Sequence, residues 1–159
     1  MTRMVVRTAV ALGALMLAAH GVAAQDDRAA AAEREVRRII ADYNAAYGRN
    51  DLDAYFSYFA PDVTQWFTSG RVDLPSYRES WTKSVKEGNV MEKAEVMDLQ
   101  VQVGPAADAA VATYILRTTS KNPKGEVRTS DNHETDVLFK RGGQWKIVHV
   151  HYSPARPRR

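Results

Sequence analysis

The stretch ETDVLFKRGGQWKIVHVHYSP, Glu134 to Pro154, decides the fold. Two long alternating runs meet in it at Gly142-Gly143, the kind of pair a two-residue hairpin turn favours. Alternation with period two means a strand whose two faces are used differently, so every residue here must be assigned a face. Strands are expected over Glu126–Lys140 and Trp145–Ser153. Towards the N-terminus, Ala109–Thr119 is β-rich and Glu95–Val103 alternates, with turns at Gly104–Asp108 and at KNPKG, Lys121–Gly125.

Ahead of these strands the apolar period changes to three and four. Val36, Ile39, Ile40, Tyr43, Ala46 and Tyr47 mark one amphipathic helix from Glu33 to Tyr47, ended by Gly48. Asn50 or Asp51 can cap a second short helix, in which Leu52, Tyr55, Phe56 and Phe59 repeat the pattern until Pro61. VTQWF, Val63–Phe67, has strand composition. A third helix starts near Asp73, tolerates Pro75 in its first turn and presents Leu74, Tyr77, Trp81 and Val85 before Gly88. Helices first and an antiparallel meander afterwards make an α+β domain, three N-terminal helices on one face of a mainly antiparallel sheet. The length suits one such domain, placed at 35–153, after a flexible leader over 25–34 and before a basic tail over 154–159.

The first 24 residues have a different character. Arg3 and Arg7 precede the apolar run Ala9–Ala19, and Val22 and Ala24 are small residues at the positions a signal peptidase reads. This predicts a secretory signal peptide cut after Ala24 and a periplasmic or secreted protein. The run is far short of the ~20 residues that a membrane-spanning helix needs, so no membrane association is expected after cleavage. Cleavage removes two of the 22 basic residues and none of the 19 acidic ones, leaving a net charge of +1. Nucleic acid needs a basic stripe, and the compact basic group here is Arg156, Arg158 and Arg159 in a proline-broken tail. With no cysteine, the chain offers neither disulfide, thiolate nucleophile nor thiolate metal site.

The order of elements, with its ND-x-D-x-Y-F-x-x-F-A-x-D passage at 50–62, resembles the nuclear transport factor two-like superfamily, which includes SnoaL-like polyketide cyclases and ketosteroid isomerase. Within it, ETDVLFKRGGQWKIVHVHYSPA is most similar to the C-terminal strands of the association (hub) domain of calcium/calmodulin-dependent kinase II. The resemblance implies a cone-shaped fold: a curved sheet whose concave face, closed by helices, holds a pocket and whose convex face makes subunit contacts. The kinase hub carries pocket arginines on three successive strands, and the matching positions here are Leu116, Asp136 and Tyr152. None is arginine, so the hub's acidic-ligand site does not transfer. No kinase domain is expected from these residues either, and the expected self-association is that of a homodimer or higher oligomer.

Those positions orient the strands. With Asp136 and Tyr152 facing the pocket, alternation adds Asn132, Glu134, Leu138, Val148 and Val150, and on the neighbouring strand Tyr114, Leu116 and Thr118. The helices contribute Tyr43, Tyr47 and Trp81. Ile147, His149 and His151 then point to the convex, interface side. His149 and His151, with His133 of matching parity, can approach a zinc ion only if a third ligand converges; interface packing is the simpler reading, and no metal or cofactor is expected.

Two functional readings follow. One is a binding and assembly module whose pocket holds a small apolar or weakly basic molecule. The other is a cofactor-independent isomerase, cyclase or dehydratase, with Asp136 as base or acid and Tyr43 or Tyr152 as hydroxyl donor. Glu134 and Asp136, two carboxylates on one strand face, can raise each other's pKa and so favour the second reading. Against it, the position resembling the isomerase's general-base aspartate is Phe67, and Glu134 or Asp136 can instead pair across strands with Arg117, Arg128 or Lys146. Trp66, Tyr77, Trp81, Tyr114 and Trp145 are core candidates, some of which line whatever cavity remains.

Overall fold

A computed structural model describes the backbone of residues 5–155 and the side chains of residues 25–155. The side chains of the expected signal segment, and the tail arginines at 156, 158 and 159, lie outside the described residues. Among the described residues, nine elements run in the order α1 (Val5–Gly48), α2 (Leu52–Ser57), β1 (Phe59–Phe67), β2 (Gly70–Val72), α3 (Leu74–Lys86), β3 (Val90–Val103), β4 (Ala109–Lys121), β5 (Val127–Arg141) and β6 (Gln144–Pro154). The strands form one six-stranded sheet ordered β2-β1-β6-β5-β4-β3. Every pairing is antiparallel except β1 with β6, where the chain returns from the C-terminal hairpin to lie parallel to the strand after α2.

The helix α1 crosses the inner face of this sheet. Ala32, Val36, Ile40, Tyr43 and Ala46 recur at three- and four-residue spacing and are all buried, as an amphipathic helix on a sheet requires. The stretch 25–34, expected as a flexible leader, is helical here, and Ala32 is buried in the core. Small alanines let that turn of α1 approach its neighbours, so packing overrides the leader-like composition. The second helix is shorter than its apolar pattern suggested: Phe59 begins β1 instead of ending α2.

Asp51 caps α2 by accepting from the Ala54 amide at 3.2 Å, and Asp73 caps α3 by accepting from Ser76 at 2.8 Å. Asn50 has another task. At φ 57° it occupies the left-handed region that asparagine tolerates, and its amide clasps Met91 of β3 through Nδ2 to the carbonyl and Oδ1 from the N–H, both at 2.8 Å. This clasp joins the α1–α2 turn to β3, where Gly48 also comes so close that a Cβ would sit 3.1 Å from the Ala94 nitrogen. Asn50→Ala is expected to cost about 1–3 kcal/mol, because two part-buried backbone groups lose their partners. Asn50→Gly, which keeps the backbone conformation, separates the clasp from the turn in urea melts; equal midpoints for wild type and both variants would count against the clasp.

The hairpin at Arg141-Gly142-Gly143-Gln144 forms as expected, with both glycines at positive φ, 57° and 80°. Trp145 anchors it. Its indole N–H donates to Glu35 Oε2 of α1 at 2.8 Å, and Lys140 Nζ reaches the same oxygen at 2.8 Å. These donors hold the Glu35 carboxyl below its ordinary value.

One irregularity redirects the strand. Val137 pairs with His149 but Leu138 pairs with Ile147, so β6 carries a bulge at Val148. Alternation therefore slips by one before His149. Ile147, expected on the convex face, is 0 % exposed in the core, and Val148, expected in the pocket, is displaced from the inward series.

Candidate functional site

A cavity of about 350 Å³ lies between the inner face of the sheet and the helices. Tyr43, Asn44 and Tyr47 come from α1, Tyr55 from α2, and Tyr77 and Trp81 from α3. The sheet supplies Phe59, Gln65 and Phe67 of β1, Leu116 of β4, Glu134 of β5, and Val150 and Tyr152 of β6. Exposed Thr68 and Ser69, in the turn after β1, stand at its edge. Helical spacing explains the first group: Tyr43 and Tyr47 are one turn apart, as are Tyr77 and Trp81, so each pair shares a face.

The rings interlock. Tyr43 stacks on Tyr55 with centroids 4.8 Å apart, Tyr47 stacks on Trp81 at 5.4 Å, and Phe67 meets Tyr77 at 5.1 Å and Tyr152 at 6.2 Å. A chain of hydroxyls runs beneath them, with Tyr77 and Tyr55 2.9 Å apart and Tyr55 and Tyr43 3.1 Å apart. Burial raises the pKa of each of these phenols, so they stay protonated and available as donors. Tyr152 is pushed up to about 12 by burial first and by Glu134 second.

The pairing register aligns the polar groups. One row across the sheet reads Gln65, Val150, Asp136, Ala112, and the next reads Tyr152, Glu134, Tyr114. Asp136 and Tyr114 were expected in the pocket wall. The structure instead packs them behind it, because Asn44 Nδ2 of α1 reaches the Tyr114 hydroxyl at 3.1 Å and that hydroxyl donates to Asp136 Oδ2 at 2.8 Å. This buried chain closes over the acid, which is 0 % exposed. Parity places a side chain on a face but does not say how deep the cavity reaches along it. Tyr43, Tyr47, Trp81, Leu116, Glu134 and Tyr152 line the cavity.

No cation answers the carboxylates. Arg117 forms a two-pronged bond with Asp131 at 2.7 and 2.8 Å, Lys146 donates to the Ser57 carbonyl at 2.7 Å, and among the described residues no ion pair includes Glu134, Asp136 or Arg128. Cross-strand pairing of the acids is thereby ruled out, because the cations sit on the outer face or at the rim. Burial pushes Asp136 up to about 7, against the Tyr114 hydroxyl that favours its charged form. Glu134 is raised well above the usual carboxylate range, by burial first and by the charge of Asp136 second; the hydroxyls of Tyr114 and Tyr43 act in the other direction. Burial thus favours the protonated form of both acids.

The outer face has its own arrangement. His149 Nδ1 lies 2.7 Å from Thr64 Oγ1, and His151 is exposed beside Trp66 of β1, its register partner. Among the described residues no three His, Cys, Asp or Glu side chains converge where a metal ion could be held.

Asn44, Tyr55 and Gln65 were not singled out from the sequence for this site. Tyr55 was legible as part of the α2 apolar stripe. Gln65 carried a weaker signal, a polar residue at the inward parity between Val63 and Phe67. Both atoms of its carboxamide are buried without a hydrogen bond to the protein, as are Trp81 Nε1 and Asp136 Oδ1.

A family model described as a SnoaL-like domain matches residues 36–157. The chain is 23% identical over 133 residues to the delta subunit of calcium/calmodulin-dependent protein kinase type II from Oryctolagus cuniculus, a match covering 81% of this chain and 25% of the kinase. The chain thus spans about a quarter of that relative. Among solved structures, an NTF2-like protein of unknown function from Pseudomonas putida superposes with a TM-score of 0.64 at 23% identity, covering 78% of this chain and 87% of that one. The association domain of C. elegans CaMKII superposes with a TM-score of 0.64 at 20% identity, covering 80% of this chain and 98% of that one. These likenesses carry the cone fold, and since the family model spans the whole sheet, α2, α3 and the C-terminal part of α1, the chain belongs to the SnoaL-like domain family.

Proposed function

We propose that this protein is an exported, self-associating module, without kinase activity, that holds a small, largely apolar, uncharged molecule in the cone cavity. The observation that carries this reading is the cavity wall itself: stacked aromatic rings enclosing about 350 Å³, with no Lys, Arg or His among the lining residues and a carboxyl whose neutral form burial favours. A charged ligand would lose its hydration there without an opposite charge to meet. An apolar ring system loses nothing and gains contact with Trp81 and Tyr47. Self-association is supported by the outer face, where Trp66 is 50 % exposed and Phe139 also lies open, and by the association domains among its structural relatives.

Titration of the mature chain with 2-acetylnaphthalene, followed by tryptophan fluorescence, is expected to saturate. Trp81→Ala should weaken binding about tenfold or more, the loss of roughly 1.4 kcal/mol or more that a removed stacking partner brings. Failure of this probe and of naphthalenes of the same shape with other polar groups to saturate at their solubility limits removes the binding reading. A monomer at millimolar concentration in analytical ultracentrifugation removes the assembly reading.

One observation favours a second reading, cofactor-independent acid–base catalysis: Glu134 lines the cavity, and burial favours its protonated form, the form that can donate a proton to a carbonyl. Asp136, sealed behind the wall, does not touch a ligand and would act only through Glu134. Deuterium exchange into enolisable ketones that is lost in Glu134→Gln would establish this reading.

A further inference from the structure

We infer that Gln65 selects the occupant of this cavity, and that the occupant is a flat apolar molecule bearing an uncharged carboxamide or lactam edge. The inference rests on the binding reading above and adds the chemistry of the ligand. Gln65 lies on β1 between Val63 and Phe67, at the inward parity, 0 % exposed. Both its Nε2 and its Oε1 are without a hydrogen bond to the protein. A buried amide left in that state is costly, because it has given up water on two sides and gained nothing in exchange. Apolar side chains of similar length would fill the same space without that cost, so the group has no structural benefit to set against it.

The two orphaned atoms are one donor and one acceptor side by side on a planar group. Their complement is another planar group with a donor and an acceptor on one edge, which a carboxamide or a lactam presents and a ketone, ester or ether does not. A carboxylic acid has the same edge only when protonated. No cation lines the cavity to hold the ionised form, and Glu134 stands one register row away from Gln65. An anionic ligand is therefore disfavoured by burial, with no opposite charge among the lining residues to meet it. Trp81 Nε1, a second buried donor without a protein partner, lines the same cavity and can serve a further acceptor on the ligand. The stacked Tyr47–Trp81 pair provides the flat surface for its body.

Three probes of one shape separate these terms: 2-naphthamide, 2-acetylnaphthalene and 2-naphthoate, titrated calorimetrically into the mature chain and into Gln65→Met. The wild type is expected to bind the amide about tenfold or more tightly than the methyl ketone, and the naphthoate most weakly, the selectivity that a buried donor–acceptor pair confers. Gln65→Met should bring the amide down to the level of the ketone while leaving the ketone within a few-fold of its wild-type value. The same variant, free of ligand, should unfold at a higher temperature than the wild type, since an orphaned amide has been replaced by an apolar chain of similar length. Equal binding of amide and ketone by the wild type overturns the role of Gln65 while leaving the cavity reading intact, and so does a lowered unfolding temperature for Gln65→Met. Binding of none of the three overturns both.

Discussion

Stability is expected to fall as pH rises from about 4 to about 7, opposite to the trend that ion-paired carboxylates impose. Asp136 has a folded-state pKa raised from 3.8 to about 7, and that of Glu134 is raised well above 4.5. A group with a raised folded-state pKa contributes its stability fully below the unfolded value and loses it as pH climbs through the folded value. For Asp136 that window runs from about 4 to about 7, and at about 1.4 kcal/mol per unit the loss is on the order of 4 kcal/mol. Glu134, raised by burial first and by Asp136 second, adds to the decline in the same sense. The depressed carboxylates Glu35, Asp62, Asp73 and Asp131 work in the opposite sense, since their contribution is present above their unfolded values and disappears in acid. All four are near the surface, where screening keeps such contributions small.

Urea melts between pH 4 and pH 8 test this directly. The doubly substituted Glu134→Gln/Asp136→Asn protein removes both titrations while the amide oxygen at 136 can still accept from Tyr114. Its stability should stay nearly flat over a range in which the wild type loses several kcal/mol, on the order of the linkage above. Parallel curves for the two proteins would mean that the buried acids do not titrate in this window.

Ile147→Ala is expected to lower stability by about 2–5 kcal/mol, the range for removing a large aliphatic side chain from a packed core. Ile147 is 0 % exposed, pairs in register with Leu138, also buried, and sends its N–H to the Tyr58 carbonyl at 2.9 Å. His151→Ala, four residues on, should change stability by about 0.5 kcal/mol or less, as exposed positions do, and should act on self-association instead. The contrast tests the bulge at Val148. If β6 alternated without a break, Ile147 and His151 would share the outer face and both substitutions would be mild. Similar unfolding midpoints for the two variants would place Ile147 outside the core.

The C-terminal hairpin was legible in the sequence because its signals are local. Period-two alternation, a Gly-Gly turn and a tryptophan just after it act over a few residues, and they produced β5, the turn and β6 where expected. The helices were legible for the same reason: an apolar stripe at helical spacing must meet a sheet, and Asp51 and Asp73 cap the elements that follow them. Once the resemblance to the kinase hub had fixed which strand face is concave, parity and helical spacing set Tyr43, Tyr47, Trp81, Leu116, Glu134 and Tyr152 on the face that lines the cavity. Gln65 was passed over because a lone polar residue in a β-rich run looks like an outward-facing position. Its parity becomes decisive only when β1 is seen to pair in parallel with β6, setting Gln65 opposite Val150.

What the sequence by itself determined, then, was the order of elements, the α+β class and the face of the sheet on which most side chains lie, because these follow from short-range periodicity. Only the tertiary structure decided depth and pairing. The bulge at Val148 returned Ile147 to the core, the Asn44–Tyr114–Asp136 chain sealed the expected catalytic acid behind the cavity wall, and the cations available to Glu134 and Asp136 turned elsewhere. Each of these outcomes depends on which of several distant partners comes within hydrogen-bonding reach, and local sequence carries no measure of that distance.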